Sequence, residues 1–402
     1  MIDVEELRDC YTPTPSKIVL LVADGLGGLA HPDTGMSELE TADIPNLDAM
    51  AQESACGLTT PVLPGVAPGS GPGHLALFGY DPLKHQIGRG ALEALGIEVE
   101  LEPGDVAARG NFCTIDDNGL LVDRRANRIP TELSAPICER LDRIEIAGVQ
   151  VDVFPVQDYR FVLRLRASMG LSAAVTETDP QVTGVEPLLS RPLSPEGQKT
   201  AAAVNQFVMR AAQLLREEER ANMLMLRGFA KMPSLPSMGS VYRLNPAAIA
   251  AYPMYRGLAS VAGMKIIPTG RTFADEVETL RENWDRHDFF FIHYKPADAA
   301  GEDGDFDAKV RCLEDLDTFI PAIRDLNPDV LMVAGDHATP AIMAAHSWHP
   351  VPFMLHSKLT MGQGVRSFDE WACARGAIGS IPATSVMVLG LSHAGKMTKY
   401  GP

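Results

Sequence analysis

The sequence lacks the features that mark membrane, secreted and repeat proteins. It contains no run of about 18 apolar residues, so we expect no membrane-spanning helix. Its first residues, MIDVEELRDCYTPTPSK, are acidic and include no apolar core, so no secretory signal peptide is predicted. No internal repeat or low-complexity segment is visible. These absences predict a globular protein of the cytoplasm.

Cysteine and positive charge are both scarce. The six cysteines are scattered and form no C-x-x-C pair, which favours reduced thiols in a cytosolic protein over a disulfide framework. Lys and Arg number 35 against 52 Asp and Glu, giving a formal net charge of -17. Such an excess of negative charge disfavours binding to nucleic acid or to an anionic membrane surface. A small anionic substrate is not disfavoured, because a pocket can be locally basic.

Three apolar runs, each ending in a polar segment, organise the rest of the chain. They are KIVLLVADGLGG (17–28), HDFFFIHYKPAD (287–298) and PDVLMVAGDHATP (328–340). Helical patterns separate them, so we predict an α/β protein with a doubly wound sheet. In such sheets ligands bind beyond the carboxyl ends of the strands, which is where these runs place their acids and histidines.

The polar residues after these runs have the chemistry of metal ligands. Mixed carboxylate and imidazole ligands suit Mn²⁺, Zn²⁺, Co²⁺ or Mg²⁺, and two such ions about 4 Å apart are used in phosphoryl transfer. His293, inside the second run, is predicted to be a core residue. For His349 the sequence favours a structural role and a functional role about equally. The candidate ligands are Asp24, Asp298, Glu302, Asp336, His337 and His346.

A Gly- and Pro-rich segment, PGVAPGSGPGHLALFGYDP (64–82), presents Ser70. Prolines restrict the backbone and glycines admit a ligand closely. A serine held next to a metal ion is a good nucleophile, because the ion stabilises its alkoxide. We therefore predict that this segment is a loop that holds a nucleophilic Ser70.

A length of 402 residues favours two domains, and the pattern of apolar runs changes in the middle of the chain. Short strands and turns dominate from about 86 to 270, which predicts an α+β domain inserted into the sheet domain of residues 1–85 and 271–402. Arginines are dense in the insert and suit carboxylate or phosphate oxygens. The ones singled out as candidates are Arg124, Arg125, Arg128, Arg160 and Arg227.

Several long motifs resemble those of the archaeal-type cofactor-independent phosphoglycerate mutases, of the alkaline phosphatase superfamily. They are LLVADGLGG, ELETADIPNLDAMA, PGSGPGHLALFGYDP, GRGALEALGI, NFCTIDDNGLLVDRRANRI, AGEDGDFDAKV and GDHATPAIMAAHSWHPVP. The resemblance covers nearly the whole chain. It implies an alkaline-phosphatase-like metal domain with an inserted phosphotransferase domain.

The resemblance also implies roles for individual residues. Ser70 matches the serine that is phosphorylated, and Lys295 a lysine near the transferring phosphate. One metal site is implied at Asp24, Ser70, Asp336 and His337, and the other at Asp298, His346 and Glu302, which stands where a histidine is more usual. The implied substrate contacts are His74, Arg125, Arg128, Arg160 and Arg227, with Asp123 as acid/base.

The activity implied is interconversion of 3-phosphoglycerate and 2-phosphoglycerate in glycolysis and gluconeogenesis. It would use two divalent ions, with Mn²⁺ favoured, a phosphoserine intermediate and no 2,3-bisphosphoglycerate. A metal-dependent phosphomonoesterase, a homoserine-kinase-like phosphotransferase and a non-catalytic metal-binding protein are the alternatives. The intact Ser70 and the near-complete ligand set argue against the last, and the arginine-rich insert argues against simple hydrolysis. The sequence does not determine the oligomeric state.

Overall fold

A computed structural model describes residues 4–232, 234–360 and 364–401. The chain divides into two compact units. The first unit comprises Met1–Gln86 together with Leu235–Pro402, and the second comprises Ile87–Ser234. Within the described residues, no helix combines the length and the apolar character that crossing a membrane requires.

The strands and helices follow one another along the chain. The strands are β1 (Ile18–Ala23), β2 (Ala55–Thr60), β3 (Val106–Ile115), β4 (Leu121–Asp123), β5 (Gln150–Pro155), β6 (Arg160–Arg166), β7 (Met223–Ala230), β8 (Pro246–Ile249), β9 (Lys265–Ile266), β10 (Phe289–Tyr294), β11 (Val330–Ala334), β12 (Val351–Ser357) and β13 (Gly379–Pro382). The helices are α1 (Glu38–Thr41), α2 (Pro45–Gln52), α3 (Ser70–Leu77), α4 (Arg89–Gly96), α5 (Thr131–Leu141), α6 (Gln198–Leu215), α7 (Met238–Tyr242), α8 (Pro253–Val261), α9 (Phe273–Glu282), α10 (Pro296–Glu302), α11 (Phe306–Arg324), α12 (Glu370–Cys373) and α13 (Val386–His393).

The first unit is built on an eight-stranded sheet with the order β13-β2-β12-β11-β1-β10-β8-β9. The block from β11 to β9 is parallel, and β12 runs antiparallel to both of its neighbours. Every residue of β1, β10 and β11 is buried. Continuous apolar runs form such strands because helices cover both faces of a parallel sheet. The sequence-based prediction of an α/β fold is confirmed.

Side-chain caps fix where the helices of the first unit begin. Thr272 and Asp275 form a capping box at the start of α9, each side chain accepting a hydrogen bond from the other residue's backbone N–H. The Asp305 carboxylate accepts from the N–H of Ala308 at the start of α11. These caps satisfy N–H groups that have no partner inside the helix.

The second unit is a sheet of antiparallel pairs flanked by helices. β3 pairs with β6 along one edge and with β7 along the other, β5 extends the sheet beyond β6, and β4 pairs with the end of β3. Val106 and Ala108 of β3 pack in one apolar cluster with α5 and α6, whereas Ala107 packs in another with α4. Because neighbouring residues of a strand point to opposite faces, α4 covers one face and α5 and α6 the other.

The segment 235–270 belongs to the first unit, which differs from the predicted boundary at 270. Its strands β8 and β9 add to the edge of the eight-stranded sheet, next to β10. β8 has four residues and β9 has two, so neither forms the long apolar run that identified the central strands. Their brevity explains why the sequence pattern assigned them to the insert.

Candidate active site

The carboxyl ends of three neighbouring strands bring the predicted metal ligands together. β1 lies between β10 and β11, with Ala23 opposite Tyr294 in the register. Asp24 and Lys295 are therefore adjacent, and Asp336 follows β11 on the other side. Gly25 has a φ of +68°, and a Cβ there would lie 2.8 Å from Cα of Asp298. Only glycine accommodates both the left-handed backbone and this close approach.

The first candidate metal group consists of Asp24, Asp336 and His337, all fully buried. Nε2 of His337 lies 3.4 Å from Oδ1 of Asp24 and 3.0 Å from Oδ2 of Asp336. Among the described residues, no group makes a hydrogen bond to Oδ1 of Asp24, and Oδ2 of Asp336 is approached only by imidazole nitrogens, those of His337 and His74. Buried carboxylate oxygens without donors are costly, so the arrangement calls for a cation.

The hydroxyl of Thr339 determines which ring nitrogen of His337 carries the proton in the neutral imidazole. The Thr339 hydroxyl donates to Oδ1 of Asp298 at 2.6 Å, so its oxygen accepts from Nδ1–H of His337 at 2.9 Å. In the neutral ring Nε2 then carries the lone pair, and it faces the two carboxylate oxygens of the first group. An imidazole whose second nitrogen donates to a fixed acceptor is the form that binds metals.

The second candidate group contains Asp298, His337 and His346. His337 thus belongs to both groups, and its ring stacks on His346 with centroids 3.7 Å apart. Nδ1 of His346 donates to the carbonyl of Pro68 at 2.8 Å, and Nε2 lies 3.6 Å from Oδ1 of Asp298 and 3.4 Å from Oε1 of Glu302. Glu302 therefore lies beside this group, with a side chain that is 56% exposed.

Charges around the two groups oppose the effect of burial on the pKa values. Burial and Asp336 act to raise the pKa of Asp24, but Lys295, His293 and His337 bring it to about 2. Burial likewise acts to lower the pKa of His346, whereas Glu302, the Pro68 carbonyl and nearby carboxylates raise it to about 9. Asp24 is thus ionised at neutral pH, as a metal ligand must be. Burial and the charge of Asp24 instead raise the pKa of Asp298 above its usual value.

Ser70 is the first residue of α3, although the sequence predicted a loop at this position. Its Oγ lies 3.1 Å from Nε2 of His337, so the hydroxyl is at the first group. A Cβ on Gly73 would lie 2.2 Å from the carbonyl oxygen of Asp336. The glycine lets the first turn of α3 pack directly against the end of β11, and this contact brings Ser70 to the metal ligands.

His74 is buried one turn after Ser70, behind Asp336. Its Nδ1 lies 2.9 Å from the Ser70 carbonyl and 3.2 Å from Oδ2 of Asp336. Burial acts to lower the pKa of His74, but Asp336 and Asp24 raise it above its usual value. The sequence predicted a substrate contact for this histidine. Its full burial and its partners indicate instead that it supports Asp336 and the start of α3.

Lys295 supplies the positive charge at the site. Its Nζ lies 3.1 Å from Oδ2 of Asp24 and 2.5 Å from Oδ2 of Asp298. Burial acts to lower the pKa of Lys295, but these carboxylates raise it above its ordinary value. The ammonium group therefore stays charged and links the two groups of ligands.

Two residues at the site were not predicted from sequence. His293, taken as a core residue, is indeed buried, and its Nε2 lies 3.2 Å from Oδ2 of Asp24. Tyr255 on α8 donates to the same oxygen and stacks on His293 with centroids 3.6 Å apart. His293 lies within the buried apolar strand β10, and Tyr255 lies in the segment assigned to the insert. Neither position showed in the sequence that the residue belongs to the site.

The second unit gathers arginines around one buried carboxylate, Glu93 of α4. Oε1 of Glu93 lies 3.3 Å from a guanidinium nitrogen of Arg109 on β3, and Arg89, Arg160 and Arg227 add positive charge at this carboxylate. Arg227 is paired in register with Arg109, and Arg160 with the residue two beyond it. The three strand arginines thus project from the face that α4 covers, and a net positive charge remains there.

A second carboxylate, Asp179, holds two further guanidinium groups of this unit. Arg124 binds it with Nε at 3.2 Å and a terminal nitrogen at 2.8 Å, the bidentate geometry of a strong pair. A terminal nitrogen of Arg227 lies 3.7 Å from the same carboxylate. Arg124, predicted from its setting as part of an anion clamp, is therefore already engaged, and Arg227 is shared between two carboxylates.

Asp123 organises the turn that carries Arg125 and Arg128. Its carboxylate accepts from the N–H of Arg125 at 2.8 Å and from the N–H of Asn127. Ala126, Asn127 and Arg128 all have φ between 46° and 51°, a left-handed run that non-glycine residues rarely adopt. Both arginine side chains are exposed. Backbone strain of this kind persists where the surroundings enforce it, often at ligand-binding sites.

Comparison with known proteins decides the family. Over 404 residues, spanning 100% of both chains, the sequence is 47% identical to a protein of Thermosipho melanesiensis described as a probable 2,3-bisphosphoglycerate-independent phosphoglycerate mutase. A Thermus thermophilus protein of the same description is 49% identical over 98% of both chains. The chain belongs to the 2,3-bisphosphoglycerate-independent phosphoglycerate mutase family. The model of this family matches residues 51–221.

Solved structures agree with membership of this mutase family. A cofactor-independent phosphoglycerate mutase from Thermoplasma acidophilum is 27% identical, with a TM-score of 0.70 over 94% of this chain and 100% of that one. A protein from Pyrococcus horikoshii has the same fold, with a TM-score of 0.84 over 97% and 100% of the two chains at 24% identity. The resemblance to phosphoglycerate mutases found in the sequence is confirmed.

Proposed function

We propose that the protein interconverts 3-phosphoglycerate and 2-phosphoglycerate without 2,3-bisphosphoglycerate, through a phosphoserine at Ser70. The observation that carries the proposal is the position of the Ser70 hydroxyl. It lies 3.1 Å from Nε2 of His337, beside the buried carboxylates of Asp24 and Asp336, and Oδ1 of Asp24 has no hydrogen-bond donor among the described residues. Family membership supports the same reaction. We assign the protein to glycolysis and gluconeogenesis in the cytoplasm.

We assign two divalent metal ions to the site, with Mn²⁺ preferred because imidazole and carboxylate ligands are mixed. Asp24, Asp336, His337 and Ser70 would hold one ion. The ligands of the other would be Asp298 and His346, with Glu302 next to them. Bound there, the ions would lower the pKa of the Ser70 hydroxyl and neutralise charge on the phosphoryl oxygens.

The transfer consists of two balanced steps at Ser70. Oγ attacks the phosphorus of 3-phosphoglycerate while the bond from phosphorus to the C3 oxygen breaks, and that oxygen gains a proton as the serine loses one. After glycerate turns, its C2 hydroxyl attacks the phosphoserine and loses its proton, and Ser70 regains its hydroxyl. Lys295, held charged by Asp24 and Asp298, stabilises negative charge on the phosphoryl group during both steps.

The second unit supplies guanidinium groups for the carboxylate of the substrate. We assign this role to Arg125 and Arg128 on the left-handed turn and to Arg160 and Arg227 beside Glu93. Guanidinium forks bind carboxylates in a bidentate manner. Asp123 was predicted to transfer protons, but both of its oxygens accept backbone N–H groups. We therefore assign Asp123 to holding the turn.

The test is conversion of 3-phosphoglycerate to 2-phosphoglycerate with Mn²⁺ and without added 2,3-bisphosphoglycerate, with free phosphate measured in parallel. We expect conversion with little phosphate release, and a chelator should abolish it. Phosphate release without conversion would replace the mutase by a phosphomonoesterase.

The variant Ser70→Ala should abolish conversion and leave Mn²⁺ binding largely intact, because the carboxylate and imidazole ligands remain. Ser54→Ala is the matched control, since Ser54 is also a buried serine whose hydroxyl lies 3.2 Å from a histidine, His356, outside the site. We expect this control to retain normal turnover. Conversion by Ser70→Ala would rule out the phosphoserine route.

A further inference from the structure

The two oxygens of Asp24 have opposite surroundings. Oδ2 receives Nε2 of His293 at 3.2 Å, Nζ of Lys295 at 3.1 Å and the hydroxyl of Tyr255. Oδ1 lies 3.4 Å from Nε2 of His337 and accepts no hydrogen bond from any described residue. Three donors thus fix one oxygen and leave the other directed at the first metal group.

Tyr255 is the uncharged donor of the three that is held by ring packing. It is fully buried, its ring stacks on His293 at 3.6 Å, and His74 packs on it at 4.7 Å. The phenol therefore donates to a candidate metal ligand while its ring is held between two buried histidines.

The segment that carries Tyr255 is itself anchored to the strand that carries His293. The buried carboxylate of Glu276 accepts from the N–H of Ala251 at 2.8 Å and from the N–H of His293 at 3.1 Å. Ala251 lies just before α8, so one carboxylate fixes the backbone of both supporting elements. This bridge sets the distance between the phenol and the imidazole that bind Asp24.

We infer that Tyr255 is a positioning residue that holds Asp24 with Oδ1 turned toward the metal ion. The inference rests on the proposed function only in placing a divalent cation at the first group. Groups that orient metal ligands through hydrogen bonds alter metal affinity about 10- to 100-fold when they are removed. A tyrosine that served packing alone would leave metal affinity unchanged.

The experiment compares Tyr255→Phe with Tyr294→Phe in the full chain. Tyr294 is a buried tyrosine of the same unit whose hydroxyl donates to Asp315 at 2.9 Å, away from both metal groups. Both substitutions remove one phenol–carboxylate hydrogen bond. Mn²⁺ binding is measured by calorimetry without substrate. We expect Tyr255→Phe to weaken one of two binding events about tenfold and Tyr294→Phe to change neither.

Thermal unfolding separates positioning from general stability. In excess chelator, both variants should lose similar amounts of stability, because each loses one bond of the same kind. On adding Mn²⁺, the rise in Tm should be smaller only in Tyr255→Phe. Unchanged Mn²⁺ affinity in Tyr255→Phe, or an equal loss in Tyr294→Phe, would overturn the inference.

The outcome is independent of the conversion assay. Since no substrate is present, the Mn²⁺ difference between the two variants stands even if the protein fails to convert 3-phosphoglycerate, and then only the mutase proposal is lost. Absence of Mn²⁺ binding by the unsubstituted protein would remove the inference together with the metal site.

Discussion

The two units concentrate charge of opposite sign on different parts of their sheets. In the first unit, Asp24, Asp298 and Asp336 meet at the ends of parallel strands with one lysine among them. In the second unit, arginines meet on one face of an antiparallel sheet around Glu93, with Asp179 at their side. Each cluster is short of the opposite charge, and a cation would balance the first as an anion would balance the second.

The difference lies in how precisely each cluster is fixed. The carboxylates of the first unit follow directly from rigid, buried strands and are bonded by Tyr255, His293 and Thr339. The exposed arginines of the second unit, Arg125 and Arg128, depend on a turn that Asp123 holds. Metal ligands require fixed geometry, whereas guanidinium groups at the end of long side chains adjust to an anion.

The largest effect on the first unit's cluster is expected from a substitution of Asp336. Asp336→Asn removes a charge from the first candidate metal group, so we expect kcat to fall on the order of 10³-fold and one Mn²⁺ binding event to be lost. Steady-state kinetics and calorimetry measure these two effects. Asp315→Asn, a carboxylate of the same unit outside the site, should change neither, and normal Mn²⁺ binding by Asp336→Asn would contradict the assignment.

A weaker and complementary effect is expected at Arg227. Arg227→Met removes a guanidinium group from the second cluster, so KM for 3-phosphoglycerate should rise roughly 10- to 100-fold while Mn²⁺ binding stays normal. Arg166→Met is the control, because Arg166 is a β6 arginine already bound to Asp105 at 2.7 and 2.8 Å. A change in Mn²⁺ affinity in Arg227→Met would show that the two clusters are not separate in function.

The smallest effect concerns Glu276, a buried acid that forms no ion pair with a guanidinium group among the residues the structure describes. Burial raises the pKa of Glu276 from 4.5 to about 8, while the N–H groups of Ala251 and His293 act to lower it. Between these values the folded protein keeps a proton that the unfolded chain has lost, so stability falls as pH rises, by at most about 1.4 kcal/mol per pH unit. Glu276→Gln should flatten this decline.

The measurement is Tm as a function of pH from 5 to 9. The exposed Glu278 lies on the same helix, and Glu278→Gln should keep the slope of the unsubstituted protein. An unchanged slope in Glu276→Gln would mean that this carboxyl is ionised in the folded state. Glu93, buried among arginines, gives the contrasting case, since guanidinium charges oppose the rise in its pKa.

Much of the site was predictable because its backbone signal is strong. Apolar runs that stop at an acid or a lysine identify buried strands, and parallel strands bring such ends together, so Asp24, Lys295 and Asp336 could be grouped from sequence. The shared position of His337 could not, because spacing along the chain does not show which of two groups a side chain faces.

The parts that escaped prediction lack such periodic signals. β8 and β9 are too short to be recognised, so the boundary was placed at 270 and Tyr255 was assigned to the wrong unit. Ser70 begins a helix in a segment whose Pro and Gly content predicts a loop. There, the packing of Gly73 against Asp336 outweighs the low helix propensity of the local sequence.

The order of strands also governs when the first unit can form during synthesis. β1 ends at residue 23, yet its two neighbours in the sheet begin at residues 289 and 330. A nascent chain that has just emerged to residue 86 therefore has no partner for its central strand. The second unit is contiguous in the chain and its strands pair with one another, so it is synthesised completely before the neighbours of β1. It can therefore fold on the ribosome before β1 has a partner strand.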